Sequence, residues 1–214
     1  YTEDCFTDIR EGVRKICDQF PNTYWQKLDS KRAYPSEFVK ALTDSGYLAV
    51  LIPEEFGGSG LGLTAATAIL EEIHKSGGNA AACHAQMYTM GTILRHGSTK
   101  QKSEYLPKIA SGELRLQAFG VTEPTSGSDT TRILTKAIRE GDHYIINGQK
   151  IWTSGGQYAD WMFALVRTDP GSKHDGISFV LFDMDQPGVT VKPIQLISGS
   201  SPFCETFLDN VIAS

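Results

Sequence analysis

The sequence predicts an α+β protein: an all-helical domain over residues 1–113, then a small antiparallel β-barrel or sandwich over residues 114–214. Three observations carry this prediction. Apolar residues recur at steps of three and four through the first half. After Gly112 the period shortens to two, and β-branched and aromatic residues dominate. Turn signals then separate many short apolar runs, as in a small β-domain; runs of helices before runs of strands exclude alternating βαβ units.

Phe6, Ile9, Val13, Ile16, Cys17 and Phe20 share one helical face, and Pro21 closes that first helix. Pro35 opens a second, with Phe38, Val39 and Leu42 inward and Gly46 as its stop. Residues 53–63 hold four glycines and read as a loop. Thr64 is the expected N-cap of a helix that turns Ala68, Ile69 and Ile73 inward. Gly77-Gly78-Asn79 breaks the chain before a long apolar helix over 80–96, and a shorter helix follows over 99–109. On the long helix, Met87, Tyr88 and Met90 fit either a core or the wall of an apolar ligand site.

Strands are expected over residues 117–121, 134–139, 143–146, 150–153, 162–168, 177–183, 189–194 and 205–208. Glu140-Gly141-Asp142, Asp169-Pro170-Gly171 and Gln186-Pro187-Gly188 mark turns between them. Asn147-Gly148 is the strongest hairpin signal in the chain, expected to join 143–146 to 149–152.

Composition narrows the function. The 214 residues are 40% hydrophobic and 21% charged, the balance of a soluble globular protein. A net charge of −5 argues against a nucleic-acid partner. No apolar run approaches the roughly eighteen residues of a membrane span, and no secretory signal opens the chain. Residue 1 is Tyr, so a trimmed natural N-terminus is expected. Cys5, Cys17, Cys83 and Cys204 lack CxxC spacing and are expected to be reduced, mostly buried thiols of an intracellular protein. His74, His84 and His96 carry no HExxH or carboxylate spacing, so no metal site is expected. The glycines of 57–62 follow no strand and form no dinucleotide fingerprint. A G-x-S-x-G elbow for serine hydrolysis is missing from the sequence.

The chemistry is concentrated in two segments. Phe119-Gly120-Val121-Thr122-Glu123-Pro124 ends a strand and runs into Thr125-Ser126-Gly127-Ser128-Asp129. Such a loop presents backbone N–H groups and hydroxyls. Gly120 and Gly127 let a ligand approach the main chain, and Pro124 fixes the turn. Several neutral donors together suit a flat polar ring system and a phosphate. The second segment, Gly148-Gln149-Lys150-Ile151-Trp152-Thr153-Ser154-Gly155-Gly156, sets an indole and two hydroxyls before a flexible turn.

In this order and at this spacing, the two segments resemble the acyl-CoA dehydrogenase family. There, V-T-E-P-x-x-G-S-D and G-x-K-x-W-[IT]-[TS] motifs form the flavin site. Leu51-Ile-Pro-Glu-Glu-Phe-Gly-Gly58, Arg95-His-Gly-Ser-Thr-Lys-Gln-Lys102 and Tyr105-Leu-Pro-Lys-Ile-Ala-Ser-Gly-Glu113 are similar to the family as well. The resemblance runs from about Cys5 to the last residue.

The resemblance implies FAD as cofactor, held by Phe119, Gly120, Val121, Thr122, Glu123, Pro124, Gly127, Ser128, Trp152, Thr153 and Ser154. The Val121 backbone and the Thr122 hydroxyl would address the polar edge of the isoalloxazine, and Trp152 would pack against the ring. Ser154 stands where the family often has a Thr whose hydroxyl reaches flavin N5, and Ser128 would touch substrate as well. The implied reaction is α,β-dehydrogenation of an acyl-CoA thioester: a carboxylate takes the α proton while hydride passes from the β carbon to N5. An electron-transfer flavoprotein or equivalent acceptor, a homo-oligomer (tetramer or dimer) at full length, and a bacterial cytoplasm or mitochondrial matrix complete the expectation. In the family a third, helical domain follows and carries the catalytic Glu. No residue here matches that base, so no catalytic residue is assigned, and Glu123 belongs to the flavin loop. Alternatives are same-fold chemistry of another kind (acyl-CoA oxidase, nitroalkane oxidase or flavin monooxygenase) and a catalytically silent binding module.

Overall fold

A computed structural model gives the structure of the protein and describes residues 6–213. It divides into two units, Tyr1–Arg115 and Leu116–Ser214. The first is helical and the second is built on one sheet, an α+β arrangement.

The helical unit comprises α1 (Thr7–Cys17), α2 (Asn22–Lys31), α3 (Ser36–Asp44), α4 (Leu63–Lys75), α5 (Ala81–His96) and α6 (Thr99–Ser111). The faces read from the sequence are those that are buried. Val13, Ile16 and Cys17 of α1 pack with Phe38, Val39 and Leu42 of α3 and Ile69 and Ile73 of α4. Gly46 leaves α3 at φ 78, the left-handed stop that glycine adopts without penalty. Met87 and Met90 are buried, so the core reading holds for both, while Tyr88 is partly exposed and packs on the His84 ring.

Three details differ from expectation. The chain between Pro21 and Pro35 is helical: Pro21 is the N-cap of α2, a start position where the missing N–H costs nothing. That helix buries no residue fully, so it writes no apolar stripe into the sequence. Gly62 caps α4, and Thr64 lies inside its first turn. α6 runs on to Ser111, started by a reciprocal capping box between Ser98 and Gln101. α1 and α4 are also joined by charge. Buried Arg10 donates to Glu72 and Glu71, each at 2.7 Å, and Arg14 reaches the second Glu72 oxygen at 3.1 Å. Cys17, Cys83 and Cys204 are free and buried, burial pushing the Cys83 thiol up to about 12; Cys5 lies outside the described residues. Among the described residues no helix is long and apolar enough to cross a membrane.

The second unit contains β1 (Leu116–Gly120), β2 (Lys136–Glu140), β3 (His143–Ser154), β4 (Trp161–Arg167), β5 (Ile177–Asp183), β6 (Val189–Ile194) and β7 (Phe203–Ala213). They form one sheet in the order β1-β4-β2-β3-β7-β6, with β5 on the other edge of β4. The sheet is mixed, not wholly antiparallel. β1 runs parallel to the first half of β4, and β2 meets the same edge in parallel at Arg167. Ala118, Ile146, Met162, Ala164, Val166, Phe182, Leu208 and Val211 fill its core.

The largest correction concerns Asn147-Gly148, which is no hairpin. β3 passes straight through it, and the turn is Gly141-Asp142, with Gly141 at φ 64. A Cβ on Gly148 would fall 2.5–2.7 Å from Thr135, so this glycine admits a close neighbouring backbone. Opposite Asn147 stand two residues of β7, Asp209 and Asn210, a β-bulge tied by the Asn147 side chain to the Asn210 amide at 2.9 Å. The two strands expected over 143–146 and 150–153 are therefore one, and β7 extends well beyond 205–208 on both sides.

Candidate functional site

The two motif segments meet along β1 and β3. Leaving β1, the chain lies beside β3, where the Ile151 amide donates to the Thr122 carbonyl at 2.9 Å. One residue earlier, Lys150 points into the unit and is fully buried. Its ammonium donates to Glu123 Oε1 at 2.8 Å, to the Leu165 carbonyl at 2.7 Å and to the Val121 carbonyl at 3.4 Å. Three acceptors match the three N–H groups of a lysine. Glu123 is also buried and accepts the amides of Leu134 and Thr135 besides Lys150. Burial alone would raise its carboxyl, but the bonds from Lys150, Leu134 and Thr135 outweigh that and hold it below the usual carboxylate range. Burial lowers the Lys150 ammonium, and the Glu123 carboxylate opposes that.

The loop itself is closed by a tight turn. The Glu123 and Ser126 backbones exchange both hydrogen bonds, with Pro124 and Thr125 exposed at its tip. Ser126 turns inward and donates to the Asp129 carbonyl at 2.7 Å. Gly127 and Ser128 are exposed, and nothing lies within 4 Å of the Cβ position of Gly127, so its surface is open to a ligand. Gly120 serves another end. It is buried, and a Cβ there would meet Met162, Ala164 and Lys150 between 2.9 and 3.2 Å, so the small residue admits core side chains instead of a ligand. Phe119, on the opposite side of β1, is partly exposed and packs edge-on against Phe163 at 4.9 Å.

β3 carries a second bulge at the second motif. Ile151 and Trp152 stand opposite the single residue Glu205 of β7. Trp152 takes φ 64, in the left-handed region that a bulky residue rarely adopts. Its indole is 50% exposed and packs edge-on against Phe203 at 6.0 Å. Alternation then places Thr153 inward and Ser154 outward. The structure thus brings Val121, Thr122, Trp152 and Ser154 into one neighbourhood, while the Thr153 hydroxyl is buried with no hydrogen-bond partner. Gly155, at φ 61, again has nothing within 4 Å of its Cβ position. An exposed indole, neutral hydroxyls and open glycines suit a flat heteroaromatic cofactor, so the residues present fit FAD. Lys150 was not singled out in the sequence. Flanked by Gln149 and Ile151, it carries no burial signal of its own in the sequence.

Two family models match the chain: the acyl-CoA dehydrogenase N-terminal domain over residues 4–113 and the acyl-CoA dehydrogenase middle domain over residues 118–211. The chain is 39% identical over 206 residues to the acyl-CoA dehydrogenase FadE29 of Mycobacterium tuberculosis, which covers 95% of this chain and 52% of that protein. Among solved structures, the acyl-CoA dehydrogenase of Geobacillus kaustophilus superposes with a TM-score of 0.88 at 27% identity, over 100% of this chain and 58% of that one. The glutaryl-CoA dehydrogenase of Mycobacterium smegmatis, solved in complex with FADH2, superposes with a TM-score of 0.82 at 31% identity, over 96% and 53%. The chain therefore spans about half the length of the curated relatives it matches.

Proposed function

This chain belongs to the acyl-CoA dehydrogenase family, and from that premise we propose that it carries the FAD surface, and part of the acyl-CoA surface, of an enzyme that dehydrogenates acyl-CoA thioesters between Cα and Cβ. One observation supports the reading above others: two segments far apart in sequence are hydrogen-bonded together at Thr122 and Ile151, beside a bulge that turns an indole outward. When bound, FAD supplies the acceptor for the hydride from Cβ.

The rest falls to the chain's residues. The Val121 backbone and Thr122 hydroxyl address the polar edge of the ring, and Trp152 packs on it and excludes water. The outward Ser154 hydroxyl donates near N5. Ser128, exposed past the turn, contacts acyl-CoA. Phe119, Pro124 and Gly127, exposed residues of the segment, form the rest of the wall. Thr153 and Glu123 act through backbone alone, since their side chains turn inward. Glu123 is committed to Lys150, so the base that takes the α proton is assigned to a residue outside this chain. An electron-transfer flavoprotein or equivalent acceptor removes the electrons, and the full-length protein is a homo-oligomer.

FAD titration of the chain tests the reading. Saturable binding with a shifted visible band is expected. Ser154→Ala should weaken binding or slow reduction by about 1–3 kcal/mol, the usual effect of a lost buried hydrogen bond. A chain that takes up no FAD would overturn the assignment.

A further inference from the structure

We propose that the buried Lys150–Glu123 pair is a positioning device for the cofactor surface, fixing the Thr122 backbone and the Trp152 bulge relative to each other. The inference rests on the flavin reading above, which assigns roles to Thr122 and Trp152 but none to Lys150. The Lys150 ammonium holds three separate pieces of chain: the exit of β1 at Val121, the motif loop at Glu123 and strand β4 at Leu165. Glu123 adds a fourth, the approach to β2 at Leu134 and Thr135. With the Ile151–Thr122 backbone bond, these contacts converge on the two residues that precede Trp152.

Stability alone gives no reason for such a pair. Two charges removed from water are costly, and a well-packed apolar pair of the same volume is often at least as stable. What an ion pair supplies that packing does not is directional definition, because each N–H must meet its acceptor. Definition is what the neighbouring geometry needs. A tryptophan in the left-handed region persists only where the surroundings over-determine it. The interior beside the pair offers little help, since Thr153 and Thr206 turn unpartnered hydroxyls into it. Lys150 and Glu123 are thus positioning residues; neither is proposed to touch the ring with its side chain.

The test compares the wild-type chain with Lys150→Met, Glu123→Gln and the double variant, which removes both charges and keeps an acceptor for the Leu134 and Thr135 amides. Three quantities are measured: melting temperature, amide exchange at Ile151, and FAD affinity with the visible circular dichroism of the bound flavin. The double variant is expected to melt near wild type, yet lose Ile151 protection, weaken FAD binding by roughly tenfold and alter the flavin dichroism. If either single variant fails to fold, the double variant still decides. A folded double variant with wild-type exchange, affinity and dichroism would overturn the proposal. A wild-type chain that takes no FAD would instead defeat the flavin reading; the exchange at Ile151 would then judge the positioning role by itself.

Discussion

Thr153 and Ser154 are adjacent, yet only one of them faces out. The buried Thr153 hydroxyl has no partner, so Thr153→Val should remove an unsatisfied polar group and leave the chain as stable or more stable, by up to about 1 kcal/mol. FAD affinity should not change. Thermal melting and flavin titration of the one variant check both points, and a loss of affinity would return Thr153 to the cofactor surface. The sequence did not show which way each side chain of the two segments turns. Alternation along a strand would have paired Thr153 with Ile151 on one face, but the bulge at Trp152 breaks the count. Lys150 was illegible for a related reason. A lysine is exposed by default, and the acceptors that make its burial tolerable, Glu123 and the Val121 and Leu165 carbonyls, lie far from it in the chain.

At the scale of elements, Asn147-Gly148 separates two readings sharply. In a type I′ turn, Gly148→Ala would cost only the strain of a positive φ, about 1 kcal/mol. In the observed strand the new Cβ must displace Thr135, and a loss of about 1–3 kcal/mol is expected in chemical denaturation. Gly141, in the actual turn, has nothing within 4 Å of its Cβ position, so Gly141→Ala should cost only the strain of φ 64, about 1 kcal/mol. The α1–α4 pairing gives a pH test. Burial would raise the Glu72 carboxyl, but the bonds from Arg10 and Arg14 prevail and hold it below the ordinary value of 4.5. Its contribution is then fully present above that value and fades as pH falls through the lower folded one. Glu72→Gln should cost about 1–3 kcal/mol at neutral pH, because buried Arg10 loses one of its two carboxylates and keeps only the partly exposed Glu71. The variant should also lose stability less steeply than wild type below pH 4.5. The apolar stripes of α1, α3 and α4 made those helices legible. α2 has no such stripe, and a proline signals both an end and a beginning.

The whole chain should bind flavin without turning over substrate. Saturated with FAD and mixed anaerobically with acyl-CoA, it should keep its yellow colour, since general-base catalysis is worth about 10²–10⁴-fold and Glu123, the carboxylate of the motif turn, is committed to Lys150. Rapid bleaching would place the base within these residues. At this scale the sequence was informative about class and weak about topology. The switch of period near Gly112 separates helices from strands because burial patterns are local. That β1 lies parallel to β4, or that β5 flanks the path, depends on pairings between distant residues that leave no periodic trace. One of those pairings has a consequence for biosynthesis. β7 comes last of the seven strands yet sits inside the sheet, between β3 and β6. On the ribosome, β3 and β6 must wait with bare hydrogen-bonding edges until residues 203–213 emerge, while the segment up to Arg115 already has its own core. The stretch of synthesis from β3 to β7 is thus the interval in which a chaperone has the most to hold.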